Sequence, residues 1–412
     1  MYADGYDARF RSGLDESCND PGVGRVYGEA SCGEELFQHY NRPDGMASPR
    51  NHLGDYICCI RPTESLQGRE CGKRLLVSDA PIFNRYKLCT DIYFQRRDLV
   101  HDLTMILLNL VPSITARRGI RGRKKVAAAF LEYFNADGQK QGSKFVQNRY
   151  DVSIRNGVSV EDTAEFEVGG GIAILVNTTP TVFWMLFYVY SCPEVLQDLR
   201  RELAAIMRVT KDASGSPVRT LDIVSVKTHC PLLTSTFQEV LRHRSVSTSV
   251  RQVMEDTMLD GKYLLKKDAI LQMPSLVIHT DAEIWGSDVE SFNHRRFMTN
   301  KANKPPETKR VAAGAFRAFG GGSTLCPGRH FATTEILAVV VGFVMRYELT
   351  PEAGHWSPPT HAKTNIAAAI MEPDYDLSVK VEPRAGFEDG SWAFELPDSE
   401  MVFAAAAEDL KL

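Results

Sequence analysis

Phe319-Gly-Gly-Gly-Ser-Thr-Leu-Cys326-Pro-Gly328 decides the reading of this 412-residue chain. It sets one cysteine on a glycine-rich loop that runs straight into the amphipathic segment Phe331–Phe343. Glycines let a backbone fold tightly around a sulfur atom without Cβ clashes, and Pro327 pre-sets φ for a first helical position, where its missing N–H costs nothing. A sulfur at a helix N-terminus meets orphan amide donors and the positive end of the helix dipole. Cys326 is therefore expected to ionise readily and to bind a metal as thiolate. A dinucleotide-binding reading of Gly320-Gly-Gly fails, because G-x-G-x-x-G spacing and a preceding apolar strand are both missing.

Upstream, Phe237-Gln-Glu239-Val-Leu-Arg242 puts a carboxylate and a guanidinium three residues apart on one helix face, where they can meet. Alone, such a pair reads as solvated surface. Between it and the cysteine, Phe292-Asn-His-Arg-Arg296-Phe297 offers a second arginine that can join the pair in a buried, multiply bonded triad.

These motifs, in this order, resemble the cytochrome P-450 family of haem-thiolate monooxygenases over about residues 99 to 412. The resemblance implies a mainly α fold with small β-sheets (α+β), with an N-terminal part that is atypical or truncated. It implies heme b (iron-protoporphyrin IX) held through Cys326 as axial iron ligand, and a thiolate of that kind favours O–O bond cleavage. Phe319 and Gly328 would frame the cofactor loop. Glu239, Arg242 and Arg296 would form the structural triad that supports it, and Arg251, in Ser249-Val-Arg251-Gln-Val, falls where the family sets an arginine against a haem propionate. The implied partners are a lipophilic small-molecule substrate, O2 and an NADPH-dependent reductase, with Arg329 among the positive groups available to the electron donor.

From the Ser159-Val-Glu-Asp162 capping box to Ser191 the chain is mostly apolar, with no interior charge after Glu167, which predicts one long, largely buried helix. The run Val168–Tyr190 is long enough to span a bilayer, but Asn177, Thr178, Thr179 and Pro180 at its centre and a second helix from Pro193 close behind argue against that. Pro180 cannot donate to the carbonyl of Val176, so a polar gap opens beside Thr178. A mid-helix Thr otherwise bonds its own preceding turn, here at Ile174. In the resembled family the matching acid and alcohol relay protons, which makes Thr178 the relay hydroxyl and Asn177 the residue in the acid's place. Asn-Thr-x-Pro followed by Phe183-Trp184 is similar to the branch holding the sterol hydroxylases, prostacyclin synthase and many fungal secondary-metabolism enzymes. Ile174 and Leu175 are expected to face an apolar distal pocket.

The resemblance thus implies a monooxygenase inserting an oxygen atom from O2 into a terpenoid, sterol or polyketide. The alternatives are a same-fold haem isomerase or dehydratase, or a catalytically inactive haem-protein remnant. With 43% apolar residues, 24% charged and a net charge of −4, the composition is that of an ordinary globular chain. The basic clusters Arg117-Arg118 and Arg121 to Lys125 lack interleaved aromatics and read as solvated helix faces, so no nucleic acid is expected. His243, His279, His294 and His330 lie in or near the motifs and read as core or surface residues, not iron ligands.

Helical patterns cover Val126–Phe134, Lys144–Tyr150 and Pro193–Met207. Strand patterns cover Val250–Val253, Tyr263–Leu265 and Ala269–Met273 around the turn Asp260-Gly261, and Tyr375–Val381. Residues 1–98 differ from the catalytic core expected over 99–412: they lack sustained periodicity and hold Cys18, Cys32, Cys58, Cys59, Cys71 and Cys89, six of the nine cysteines. No C-x-x-C pair occurs there, which argues against zinc, and a disulfide framework is not expected. The family's W-x-x-x-R helix is not found before Trp184, the first tryptophan, and Thr324 stands where many members keep an arginine or histidine. The family resemblance implies the cytosolic face of the endoplasmic reticulum, with no transmembrane anchor in this sequence; Leu103–Val111 is apolar but too short to span.

Overall fold

A computed structural model describes residues 99, 101–108, 111–298, 313–365 and 367–395. The expectations for residues 1–98, and those for the side chains of Ile174 and Leu175, lie outside the described residues. Two compact units divide the chain between Thr179 and Pro180, with Ser391–Glu395 counted with the first.

In the first unit, helices α1 (Leu103–Leu108), α2 (Pro112–Thr115), α3 (Arg117–Asn135) and α4 (Lys144–Arg155) precede the long α5 (Val160–Tyr190), whose residues up to Thr179 belong here. Leu99, Val126 and Val168 form its core, with Ile106, Phe130 and Ile172 packed against them. Helices α1 and α3 meet at Gly119, whose amide donates to the Asp102 carboxylate (2.8 Å). A Cβ at Gly119 would come within 2.6 Å of the Asp102 Cβ, so only glycine allows that approach. The basic residues from Arg117 to Lys125 are exposed along α3, as their charge requires. Half of the expected capping box forms at the start of α5: Ser159 Oγ accepts the Asp162 amide (3.0 Å), while the Asp162 carboxylate takes the Ser159 hydroxyl (2.9 Å) and not its backbone amide.

The second unit takes the rest of α5, then α6 (Pro193–Ile206), α7 (Ile223–His229), α8 (Pro231–Arg244), α9 (Ser275–His279), α10 (Ala282–Trp285) and α11 (Arg329–Arg346). Its core comes from α5 (Trp184, Met185, Val189), α6 (Leu199, Leu203), α8 (Leu233, Phe237) and α11 (Leu337, Val341, Val344), all fully buried. By length and composition α5 could cross a membrane, yet its second half is packed as a core helix is, with the Trp184 indole donating to the Met371 carbonyl (2.8 Å). Side chains of α5 and α6 reach carbonyls at the C-terminal end of α11 and just beyond it. Arg200 donates to Val344 and Tyr347, and the Tyr190 hydroxyl to Phe343 and Tyr347, all at 2.9–3.0 Å.

Four antiparallel pairs complete this unit. β1 (Arg208–Lys211) pairs with β2 (Pro217–Asp222), β3 (Thr248–Gln252) with β6 (Ile270–Pro274), β4 (Thr257–Leu259) with β5 (Tyr263–Leu265), and β7 (Tyr347–Pro351) with β8 (Val379–Pro383). The Asp260-Gly261 turn joins β4 to β5 with φ of 51° and 63°, the doubly positive geometry that the right-handed twist of a tight hairpin demands. The strand expected over Tyr375–Val381 begins only at Val379, because its partner Pro351 ends there. The β1–β2 hairpin has no counterpart in the sequence reading. Its turn is pinned by the Asp212 carboxylate, which accepts the amides of Ser214 and Ser216 (2.8 and 2.9 Å).

Candidate functional site

The cysteine loop is closed by its own backbone. The Gly320 amide donates to the Arg317 carbonyl and the Cys326 amide to the Phe319 carbonyl, both at 2.9 Å, so the two ends of Phe319–Cys326 are tied together. Gly320 and Gly322 have φ of 78° and 60°, and a Cβ on Gly320 would also press within 3.2 Å of the Thr324 carbonyl oxygen. α11 starts at Arg329 with Gly328 as its N-cap, which corrects the expectation for Pro327: it precedes the cap instead of occupying the first helical position. The proline still fits, since a residue outside the helix has no ladder bond to lose.

Cys326 is half-buried, and its thiol also departs from expectation. Burial pushes it above the ordinary thiol range, against the Gly328 amide, which hydrogen-bonds the sulfur, and against the Arg329 charge, both of which pull it down. Desolvation outweighs the helix terminus because the sulfur lies three residues outside α11. Arg329 also spends donors on backbone, its guanidinium and amide reaching the Cys326 carbonyl (3.2 and 3.4 Å).

Arg251, on β3, reaches across to this loop. One guanidinium nitrogen donates to the Gly321 carbonyl (2.9 Å) and the Thr324 hydroxyl (2.6 Å), and the other to the Val250 carbonyl (2.8 Å). Thr324, which replaces the basic residue the resembled family often keeps there, thus accepts from Arg251.

Glu239, Arg242 and Arg296 meet in one buried cluster. Both Glu239 oxygens accept from Arg242 (2.8 Å each) and share the Arg296 Nε hydrogen (3.0 and 3.1 Å), and the Asn293 amide adds a fourth donor (3.0 Å). Glu239 is 0% and Arg242 2% exposed, so this charge is wholly desolvated and wholly bonded. Arg242 also donates to the carbonyls of His279 (2.7 Å) and Val289 (3.0 Å). Sequence reasoning missed Asp288, whose carboxylate takes the outer edge of Arg296 at 2.9 and 3.1 Å. The Arg296 bonds hold Asp288 below the ordinary carboxylate range. Burial opposes the charge of Arg296, but the Asp288 and Glu239 carboxylates outweigh it and raise the guanidinium above its usual value. Two arginines and two carboxylates make the cluster electrically neutral.

Asn177 and Thr178 sit on the part of α5 counted with the first unit, both half-buried. The Asn177 amide makes a long bond (3.4 Å) to the Ala173 carbonyl one turn back, so this side chain is anchored to backbone. His243 and His294 reach backbone carbonyls, of Glu290 (3.1 Å) and Tyr188 (3.0 Å), and burial lowers both below the ordinary imidazole value.

The sequence model of the family described as Cytochrome P450 matches residues 170–379, which hold the cysteine loop and the arginine-carboxylate cluster. The chain belongs to the cytochrome P450 family. Among similar P450 proteins is "Cytochrome P450 monooxygenase nodJ" of Hypoxylon pulicicidum, 36% identical over 74% of this chain and 60% of the relative. A "Cytochrome P450 monooxygenase" of Gibberella zeae is 29% identical over 71% of this chain and 57% of its own length. The "Cholesterol 7-alpha-monooxygenase" of Cricetulus griseus is 28% identical over 50% and 42%. The chain therefore spans less than two thirds of the length of these P450 relatives.

Proposed function

We propose that the chain is a haem-thiolate monooxygenase that inserts one atom of O2 into a lipophilic small molecule of secondary metabolism, a terpenoid, sterol or polyketide. The observation that carries this reading is the closed Phe319–Cys326 loop, with an amide on the sulfur, in a chain that also assembles Glu239, Arg242, Arg296 and Asp288 into a neutral cluster. The relatives' names support the reaction class and the fungal setting. A single sulfur with an amide donor fits a thiolate ligand to heme b, since a hydrogen bond to the charged form tempers its charge while the half-buried setting keeps water away.

When bound, haem supplies the redox chemistry that activates dioxygen, drawing two electrons from NADPH through a reductase while the second oxygen atom leaves as water. Cys326 Sγ is the ligand, and Phe319 and Gly328 frame it through the backbone. Arg251 turns a guanidinium edge toward the loop and is the group to hold a carboxylate of the cofactor. Thr178 Oγ1 is proposed to pass protons through water, with Asn177, which cannot ionise, orienting that water through its carboxamide. Residues 99–412 form the catalytic core in this reading, and the cytosolic face of the endoplasmic reticulum is its place.

The test is turnover by haem-loaded protein with a reductase, NADPH and isotopically labelled dioxygen on a panel of terpenoid, sterol and polyketide substrates. One labelled atom per product is expected. Conversion of a peroxide substrate without NADPH would overturn the monooxygenase reading in favour of an isomerase.

A further inference from the structure

We propose that His279 is the positioning residue that straps the Cys326 loop to the E-x-x-R helix α8, and so sets where the sulfur stands. This rests on the haem-thiolate reading above. His279 closes α9 and is fully buried, its ring stacked on Phe316 and edge-on to Trp285, each with centroids 5.8 Å away. Nδ1 donates to the Arg242 carbonyl (3.0 Å), and Nε2 accepts the Arg317 amide (2.9 Å). Those partners assign the neutral Nδ1–H tautomer. The His279 carbonyl then accepts from the Arg242 guanidinium (2.7 Å), so the residue holds α8 twice and the approach to the loop once.

The grip on Arg317 matters because the next turn of the chain hangs from that residue. The Arg317 carbonyl accepts the Gly320 amide (2.9 Å) and the Ser275 hydroxyl (3.3 Å), which fixes the turn that delivers Phe319. Phe319 in turn receives the Cys326 amide. His279, Arg317, Phe319 and Cys326 are therefore linked through short bonds and a two-residue chain. Arg251 anchors the far side of the same loop at Gly321 and Thr324, so the loop hangs from two posts, one aromatic and buried, the other charged and at its surface. Burial lowers the ring to about 4, so it stays neutral at ordinary pH and can keep accepting from Arg317. A carboxamide offers one donor and one acceptor at nearly the spacing of the imidazole nitrogens, whereas leucine offers neither.

The test combines iodoacetamide labelling of Cys326, read by peptide mass spectrometry in the haem-free chain, with the carbon monoxide difference spectrum of the haem-loaded one. His279→Leu should raise Cys326 labelling roughly tenfold against Cys230 in the same chain, the population change expected when one or two neutral hydrogen bonds are lost. It should also convert the thiolate-type band to the shorter-wavelength form. His279→Gln should hold both readouts within about twofold of the original, because it restores the bonds. A folded His279→Leu chain with unchanged labelling and spectrum would overturn the strap, as would a Gln chain as exposed as the Leu chain. Should His279→Leu not fold, hydrogen exchange in the unaltered chain decides. The Arg317 amide must be protected together with those of Gly320 and Cys326, and free exchange there refutes the strap. Labelling and exchange need no haem, so a chain without a thiolate band counts against the haem reading alone.

Discussion

The second unit buries charge in two opposite ways. Glu239, Arg242 and Arg296 each have a partner of the other sign with good geometry, and the Glu239 carboxylate accepts from four donor groups. In the helices α6, α7 and α11 ionisable groups are buried with little or nothing opposite. Lys227 has the Thr334 hydroxyl as hydrogen-bond partner (2.5 Å), and one carboxylate oxygen each of Glu202 and Glu335 is buried without a hydrogen bond among the described residues. Desolvation then dominates: Lys227 falls to about 8, Glu335 rises to about 7, and Glu202 also rises. The contrast marks where the fold demands permanence. Paired charges are joined through Glu239 into one neutral cluster. Unpaired ones shift toward their neutral forms, and Lys227 and Glu335 come closest to neutrality.

Substitutions can attack this contrast from either side. Removing Glu239 should do most, because Glu239→Ala strands the buried Arg242 guanidinium and leaves Arg296 with Asp288 alone. A loss of about 3–5 kcal/mol in urea unfolding is expected, with haem binding lost at the same time. Lys227→Met should act in the opposite direction and stabilise by about 1–3 kcal/mol at pH 7, since the folded lysine binds its proton less tightly than the unfolded one. The sign is checked by pH: unaltered protein should gain stability as pH rises from about 8 toward 10.5, and the Met variant should not. Glu335→Gln probes the same contrast with an acid. Its folded value is raised, so the unaltered chain should lose stability as pH rises from 4.5 to about 7, by about 1–3 kcal/mol, and the Gln variant should be flat across that window. A smaller effect is expected at Gly320→Ala, where positive φ and the 3.2 Å approach to Thr324 should cost about 1–2 kcal/mol and disturb the loop locally.

Much of this is legible in the sequence because it is local. The capping box of α5, the prolines that open α6 and α8 and the Asp260-Gly261 turn each depend on neighbours a few residues away. The glycine loop and the order of Glu239, Arg242, Arg296 and Cys326 can be read in the same manner. The rest is tertiary. Asp288 lies eight residues from Arg296 with no periodicity to link them, and it completes the cluster only because α10 and the turn after it fold back. His279 reads as an ordinary buried histidine until Arg242 and Arg317 are seen on either side of its ring. The thiol of Cys326 departs from its expected range for the same reason, since helix termini are visible in a sequence whereas desolvation is not. The N-terminal reach of α3, from Arg117, is hidden by a basic run that conceals its apolar face.

The most direct measurement is the difference spectrum of dithionite-reduced, haem-supplied protein with and without carbon monoxide, for the unaltered chain and for Cys326→Ser. A strongly red-shifted Soret band in the first that vanishes in the second is the predicted result. The same band in Cys326→Ser, or none in either protein, would contradict the account.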